Sequence, residues 1–118
     1  DMKIGISTWA YLDLPLGEAL ERISRLSGRA EIICDDGHSP FSLEFGERII
    51  FSLKYTIHGL IADINIASIH PEFREVSVKL HRRAIEAGAA IGAELYIIHP
   101  GYTPWSFCWQ EELGIRLA

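Results

Sequence analysis

The sequence has few of the features that mark secreted, membrane or nucleic-acid-binding proteins. Its 118 residues include only two cysteines, Cys34 and Cys108, and no signal-like opening. No stretch approaches the roughly 20 consecutive apolar residues of a membrane-spanning helix. The net charge is -5, and the Lys and Arg residues are scattered rather than striped. These absences argue against a disulfide scaffold, a membrane protein and a nucleic-acid-binding surface, and they favour the reducing cytoplasm.

Common catalytic motifs are also missing. The sequence contains no glycine-rich phosphate loop of the Walker or Rossmann type. The spacing of its residues indicates no Ser-His-Asp or Cys-His pairing. What remains is an ordinary globular composition, 48% hydrophobic and 23% charged, which predicts one domain over residues 1–118. Because the first residues already run into a predicted strand, we expect no targeting peptide.

Strand and helix patterns alternate along the chain. The predicted strands are residues 3–8, 31–34, 54–58 and 95–99, and the predicted helices begin at Pro15 and Pro71, with a shorter one over 41–53. The helix from Pro15 is predicted to end at Gly28. The helix from Pro71 is predicted to end at about Ala93 and to pack through Val76, Leu80, Ala84, Ala87 and Ile91. Its small residues from Ala84 to Ala93 permit a close approach to the sheet. Repeated strand–helix units predict a parallel sheet with right-handed crossovers, which is the α/β class.

Two of the predicted strands end in histidine. His99 is followed by Pro100, which lacks an N–H group, and by Gly101, which permits a sharp turn, so the strand must stop there. His58 ends the third strand in the same way and is followed at once by Gly59. Since sites in α/β folds are built at the carboxyl ends of strands, these histidines are candidate functional residues.

The two histidines form a candidate metal site. Neighbouring parallel strands lie about 4.8 Å apart, so the imidazoles of His58 and His99 can converge on one divalent ion. Two histidines do not complete such a site, because a catalytic zinc typically has three protein ligands and an open position. The alternative is that each is a structural histidine with satisfied hydrogen bonds.

Four further residues are weaker candidates. Glu31, in the second strand, is either a substrate or base residue facing a polar centre or a cap on an exposed strand edge. Trp9 and Trp105 follow strand ends, where aromatic rings either line a sugar or ring substrate or pack under a loop. His38 lies in the loop after the second strand and is a candidate mouth residue. The remaining polar residues are assigned structural roles: Asp35 and Asp36 in a turn, and His70 and His81 as structural or solvated.

Six segments spread over nearly the whole chain share a pattern with a known family. They are Gly5-Ile6-Ser7-Thr8-Trp9, Glu31-Ile32, Thr56-Ile57-His58-Gly59, Asp63-Ile64-Asn65-Ile66-Ala67-Ser68, Pro71 with Arg74-Glu75, and Ile98-His99-Pro100-Gly101. Together they resemble the xylose-isomerase-like TIM-barrel superfamily, which holds sugar phosphate isomerases, epimerases and endonuclease IV. The resemblance implies a partial (β/α)8 barrel: the N-terminal half, with about four parallel β/α units and the start of a fifth strand.

The resemblance also implies a ligand set. It implies that His58 and His99 bind a divalent metal ion (Zn, Mn, Mg, Co or Fe) and that Glu31 faces the barrel centre as a catalytic carboxylate. The next ligand, a glutamate expected in the strand that begins near residues 114–118, is absent, and so are the later ligands. We therefore expect a truncated chain that is inactive alone and that associates with itself or with the missing half.

Several functions are compatible with these observations. The favoured one is a metal-dependent isomerase or epimerase that moves a proton next to the carbonyl of a sugar or sugar phosphate. An endonuclease-IV-like phosphodiesterase is the alternative. The net charge of -5 and the segment Gly59-Leu60-Ile61, which lacks the proline and tyrosine of DNA-cutting relatives, argue against it. A non-catalytic, self-associating half-barrel and a flavodoxin-type domain without its phosphate loop complete the alternatives.

Overall fold

The computed structural model describes residues 2–39 and 51–102. In these ranges four strands form one parallel sheet in the order β1-β2-β3-β4. The strands are β1 (Ile6–Ser7), β2 (Arg29–Ile33), β3 (Lys54–His58) and β4 (Leu95–Ile97), and the helices are α1 (Leu16–Ser24) and α2 (Pro71–Ala90). Short 3-10 turns follow β1 at Thr8–Tyr11 and β2 at Asp36–His38. The predicted α/β class with a parallel sheet is confirmed.

The register aligns the carboxyl ends of the strands. Glu31 of β2 lies beside Thr56 of β3, and His58 lies beside Ile33 on one side and Ile97 on the other. The third strand has the predicted bounds. β4 is shorter than predicted, because β3 stops at His58 and the chain beyond Ile97 has no partner in β3. His99 therefore lies two residues past the end of β4.

The two faces of the sheet have different surroundings. Alternate side chains of a strand point to opposite faces. The helix-covered face forms the hydrophobic core, which consists of Ala30, Ile32, Cys34, Tyr55, Ile57 and Leu60 from the sheet region with Leu20 and Ile23 of α1 and Ala84 of α2. The opposite face carries Glu31, Thr56 and His58, all only partly buried. Polar side chains are therefore gathered on the face that the helices leave open.

The packed face of α2 agrees with the predicted one except at Val76, which is exposed. The predicted Ala84 is buried, and Leu80, Ala87 and Ile91 are partly buried against the core. Ser77, His81 and Gly88 are buried as well. The polar Ser77 is buried because its hydroxyl accepts the Asn65 N–H and donates to the Phe73 carbonyl. The predicted close approach through small residues is confirmed, since a Cβ on Gly88 would lie 2.8 Å from Cγ1 of Ile57.

Other sequence predictions have mixed outcomes. Helix α1 starts directly after Pro15 as predicted but ends at Ser24, before the predicted stop at Gly28, which leaves Leu26 exposed. Most of the predicted helix over 41–53 lies outside the described residues, and so does all of the predicted start of a fifth strand near 114–118. Of the helices in residues 2–39 and 51–102, none is both long and apolar enough to cross a membrane.

Candidate functional site

His58 and His99 meet at the carboxyl end of the sheet. Their Nε2 atoms are 2.8 Å apart. The two rings stack with their centroids 5.0 Å apart and their planes 25° from parallel. His58 is the last residue of β3, and His99 is carried to the same position by the short segment that follows β4. The structure thus brings together the two histidines that the sequence singled out.

Glu31 orients one of the two rings. Its Oε1 lies 3.2 Å from Nδ1 of His58, and both side chains are only partly exposed, 31% for Glu31 and 22% for His58. A carboxylate beside Nδ1 holds the ring proton at that nitrogen and leaves a lone pair on Nε2. With this assignment, the Nε2–H of His99 donates to Nε2 of His58. The lone pair on Nε2 of His58 is therefore aimed at Nε2 of His99.

The pair of nitrogens fits part of a metal site. Two imidazole nitrogens, each about 2.1 Å from a shared ion, lie at most about 4.2 Å apart, so a separation of 2.8 Å is within that reach. Across residues 2–39 and 51–102, no cluster of three or more His, Cys, Asp or Glu side chains is placed to hold a metal ion. These residues therefore bring together two imidazole nitrogens and one carboxylate, which is fewer groups than a complete coordination shell has.

The segment that carries His99 is fixed by Asn65. The buried Oδ1 of Asn65 accepts hydrogen bonds from the backbone N–H groups of Ala67 at 2.9 Å and Tyr102 at 3.0 Å, and Nδ2 donates to the Tyr102 carbonyl at 2.8 Å. Gly101 has φ +89°, and a Cβ there would collide with Oδ1 of Asn65. Only glycine allows this approach, so the turn after His99 is tied to the loop between β3 and α2.

Two other polar residues tie the strand-end loops together. The carboxylate of Asp35, after β2, accepts the backbone N–H groups of Ile61 at 3.0 Å and Ala62 at 3.4 Å, which lie after β3. The buried Thr8 accepts the Ile33 N–H at 3.1 Å through Oγ1. Sequence reasoning assigned Asp35 to a turn and gave Thr8 no role of its own. The sequence signal that could have identified both residues is a small polar side chain just after a strand.

Behind the site, the buried His81 of α2 and the partly buried Tyr96 of β4 form a hydrogen-bonded pair. The Tyr96 hydroxyl lies 2.7 Å from Nδ1 of His81. Burial raises the pKa of Tyr96 to about 12. Burial also lowers the pKa of His81, with a smaller contribution from repulsion by His99. Both groups are therefore neutral near pH 7, and the hydroxyl donates to the imidazole.

The remaining predicted site residues occupy different environments. Trp9 lies in the 3-10 turn after β1 with 57% of its surface exposed, at the same rim as the histidines. His38 is fully buried and its Nε2 donates to the Leu14 carbonyl at 2.9 Å. It is therefore closed to solvent rather than placed at an open mouth. Trp105 lies outside the described residues.

Sequence comparison finds relatives that are longer than this chain. No family model matches it. Two uncharacterized proteins of Methanocaldococcus jannaschii, MJ1614 and MJ1311, are each 32% identical to it. The match to MJ1614 covers 96% of this chain and 46% of that relative. The match to MJ1311 covers 90% of this chain and 39% of that relative. The chain therefore spans less than half the length of the curated relatives it matches.

A solved structure identifies the fold. The crystal structure of a D-tagatose 3-epimerase-like protein matches 92% of this chain and 41% of its own, with a TM-score of 0.76 and 27% sequence identity. The fold is part of a TIM barrel. The match supports a relationship with the xylose-isomerase-like TIM barrels, and four parallel strands over 41% of the matched protein agree with a partial barrel.

Proposed function

We propose that this chain supplies part of the active site of a metal-dependent sugar or sugar-phosphate isomerase or epimerase. The proposal is carried by the Nε2 atoms of His58 and His99, which approach to 2.8 Å at the carboxyl end of the sheet. It is supported by the structural match to a D-tagatose 3-epimerase-like protein. In TIM barrels, this end of the sheet is where active sites are built.

The chain's own residues have distinct roles in this proposal. His58 and His99 hold a divalent ion, which when bound supplies electrostatic stabilisation to an oxygen next to the reacting carbon. Glu31 keeps the proton on Nδ1 of His58 and so directs Nε2 toward the ion. As a partly exposed carboxylate on the same face, Glu31 is also the proposed group for proton exchange with the substrate carbon.

Further ligands are needed to complete such a site. The residues described here provide two. Because the chain covers 46% of its first relative, we propose that it corresponds to the N-terminal half of the barrel and that the other ligands come from the remaining part or from a second copy. A cytoplasmic location stays a prediction.

Metal analysis of the purified chain tests the ligand assignment. After incubation with Mn²⁺ or Zn²⁺ and desalting, we expect the wild-type chain to retain metal and the His99→Ala and His58→Ala variants to lose it. His70→Ala is the matched control, because His70 is an exposed histidine at the start of α2 whose side chain makes no capping hydrogen bond. If the His99→Ala variant holds as much metal as the wild type, the assignment is wrong.

Activity assays separate the proposed reaction from its alternative. We expect metal-dependent epimerisation of a ketose when the remaining part of the barrel is present, and no activity from this chain alone. Incision of abasic DNA without epimerisation would instead support a phosphodiesterase. Each assay needs the His99→Ala variant beside the wild type, because loss of the activity in that variant links it to this site rather than to a contaminating enzyme.

A further inference from the structure

The hydrogen-bonded pair of Tyr96 and His81 has no part in the chemistry proposed above. Tyr96 lies beside Ile57 in the sheet register, one residue away from the strand-end His58. Its ring meets the His81 ring edge to face, with centroids 5.9 Å apart and planes at 86°. Two neutral polar side chains joined by one hydrogen bond thus lie between α2 and the carboxyl end of β4.

The hydroxyl of Tyr96 contacts the turn that follows His58. A Cβ on Gly59 would lie 2.5 Å from the hydroxyl oxygen. The Gly59 N–H also donates to the Ile97 carbonyl at 2.8 Å. The chain leaving His58 is therefore held between the Tyr96 hydroxyl and the backbone of β4.

His81 reaches the surroundings of the second histidine. His81 and His99 both line a cavity of about 150 Å³, together with Asn65 and Tyr102. Since Nδ1 of His81 is engaged by Tyr96, the ring has a fixed orientation at the wall of this cavity. The segment that carries His99 forms the other wall. One hydrogen-bonded pair thus lies beside the turn after His58 and at the wall of a cavity that His99 also lines.

We propose that Tyr96 and His81 are positioning residues that keep the Nε2 atoms of His58 and His99 at their short separation. Tyr96 does so by fixing the turn after His58, and His81 by fixing Tyr96 and the cavity wall beside His99. The inference rests on the proposed function only where it concerns metal binding. The geometry of the two imidazoles can be measured without any metal.

The first test removes the hydroxyl with Tyr96→Phe. We expect the ¹⁵N signals of the His58 and His99 ring nitrogens to shift in the metal-free chain. We also expect Mn²⁺ to bind about tenfold more weakly, the lower limit for loss of an outer-shell partner. Tyr55→Phe is the matched control, because Tyr55 is a buried tyrosine at the opposite end of β3 whose hydroxyl donates to the Phe51 carbonyl at 3.3 Å.

The second test separates positioning from folding. In His81→Asn, the side-chain amide retains a polar group near the position of Nδ1, so it should preserve most of the wild-type signals and Mn²⁺ affinity. His81→Leu cannot accept the hydroxyl and should resemble Tyr96→Phe. Urea unfolding midpoints are measured for all variants, and we expect the midpoints of Tyr96→Phe and Tyr55→Phe to be similar.

The outcomes distinguish this inference from the proposed function. If Tyr96→Phe and Tyr55→Phe have the same effect on the His58 and His99 signals, the inference is wrong. If the signals shift only in Tyr96→Phe and His81→Leu but the wild-type chain binds no Mn²⁺, the proposed metal site fails and the positioning role stands. If the wild type binds Mn²⁺ and every variant binds it equally, the positioning role fails.

Discussion

At the scale of single residues, burial decides which side chains near the site are reactive. Cys34 directly follows β2 and is fully buried. Burial raises the pKa of its thiol to about 12, and the nearby Asp35 carboxylate contributes in the same direction. Because the thiolate is the nucleophilic form, a thiol with this pKa is inert near neutral pH. Cys34 is therefore a packing residue, although it directly follows the strand that carries Glu31.

This environment predicts slow chemical modification. In a Cys108→Ser chain, the remaining Cys34 should react with a disulfide reagent at pH 8 roughly 1,000-fold more slowly than a free thiol, because each pKa unit lowers the thiolate fraction about tenfold. Reaction should become fast in urea. Rapid modification of the folded chain would contradict the buried position.

The same scale shows what the sequence could reveal about the site. His58 and His99 were predictable because a glycine or a proline stops each strand next to them. His81 and Asn65 were not, because their partners lie 15 and 37 residues away in the sequence. A polar residue in a helix or loop has no local pattern that distinguishes burial against a tyrosine from exposure to water. Their roles depend on tertiary contacts alone.

At the scale of elements, local signals locate the starts of the helices better than the ends of the strands. Proline at the first turn marks where α1 and α2 begin. The end of β4 depends instead on where its partner β3 ends, and that position is set by residues in another part of the sequence. The contact between α2 and β3 was predictable, because small residues recur near Gly88 and apolar residues recur at helical spacing, whereas the burial of the polar Ser77 was not.

The close approach of α2 to β3 predicts opposite effects for one substitution in two helices. Gly17→Ala in α1 should stabilise the protein by about 0.5–1 kcal/mol, since nothing lies within 4 Å of the new methyl group. Gly88→Ala gains the same helix propensity but meets Ile57, so it should be less stable than Gly17→Ala by about 1–3 kcal/mol. Urea unfolding measures both, and equal effects would show that the helix and strand are not in close contact.

At the scale of the whole molecule, apolar side chains lie exposed along one side of the described residues. Leu95 and Ile98, in and after β4, are 59% and 50% exposed, and Phe73 of α2 is also exposed. Parallel sheets are normally covered on both faces, and an exposed strand edge favours pairing with another chain. The repeated strand–helix pattern made the parallel sheet predictable, and the resemblance to a known family made the partial barrel predictable. The surface that covers these exposed residues was not predictable.

This surface predicts self-association. Sedimentation velocity should give a mass above the 13.3 kDa of one chain. Leu95→Lys should reduce the association, because a charge on a strand edge opposes pairing. Leu26→Lys replaces another exposed leucine, after α1 and away from β4, and should leave it unchanged. A stable monomer for the wild-type chain would contradict the prediction.

The side-chain amide of Asn65 has the same donor and acceptor groups as a peptide unit. It both donates to and accepts from the backbone of Tyr102, as two paired residues do in an antiparallel sheet. A side chain therefore continues sheet-like hydrogen bonding past the point where the strands stop. The irregular loops at the site therefore contain one sheet-like pair of hydrogen bonds, although their backbones are not in strands. Glutamine alone carries the same group, and its extra methylene would alter the spacing between the loops.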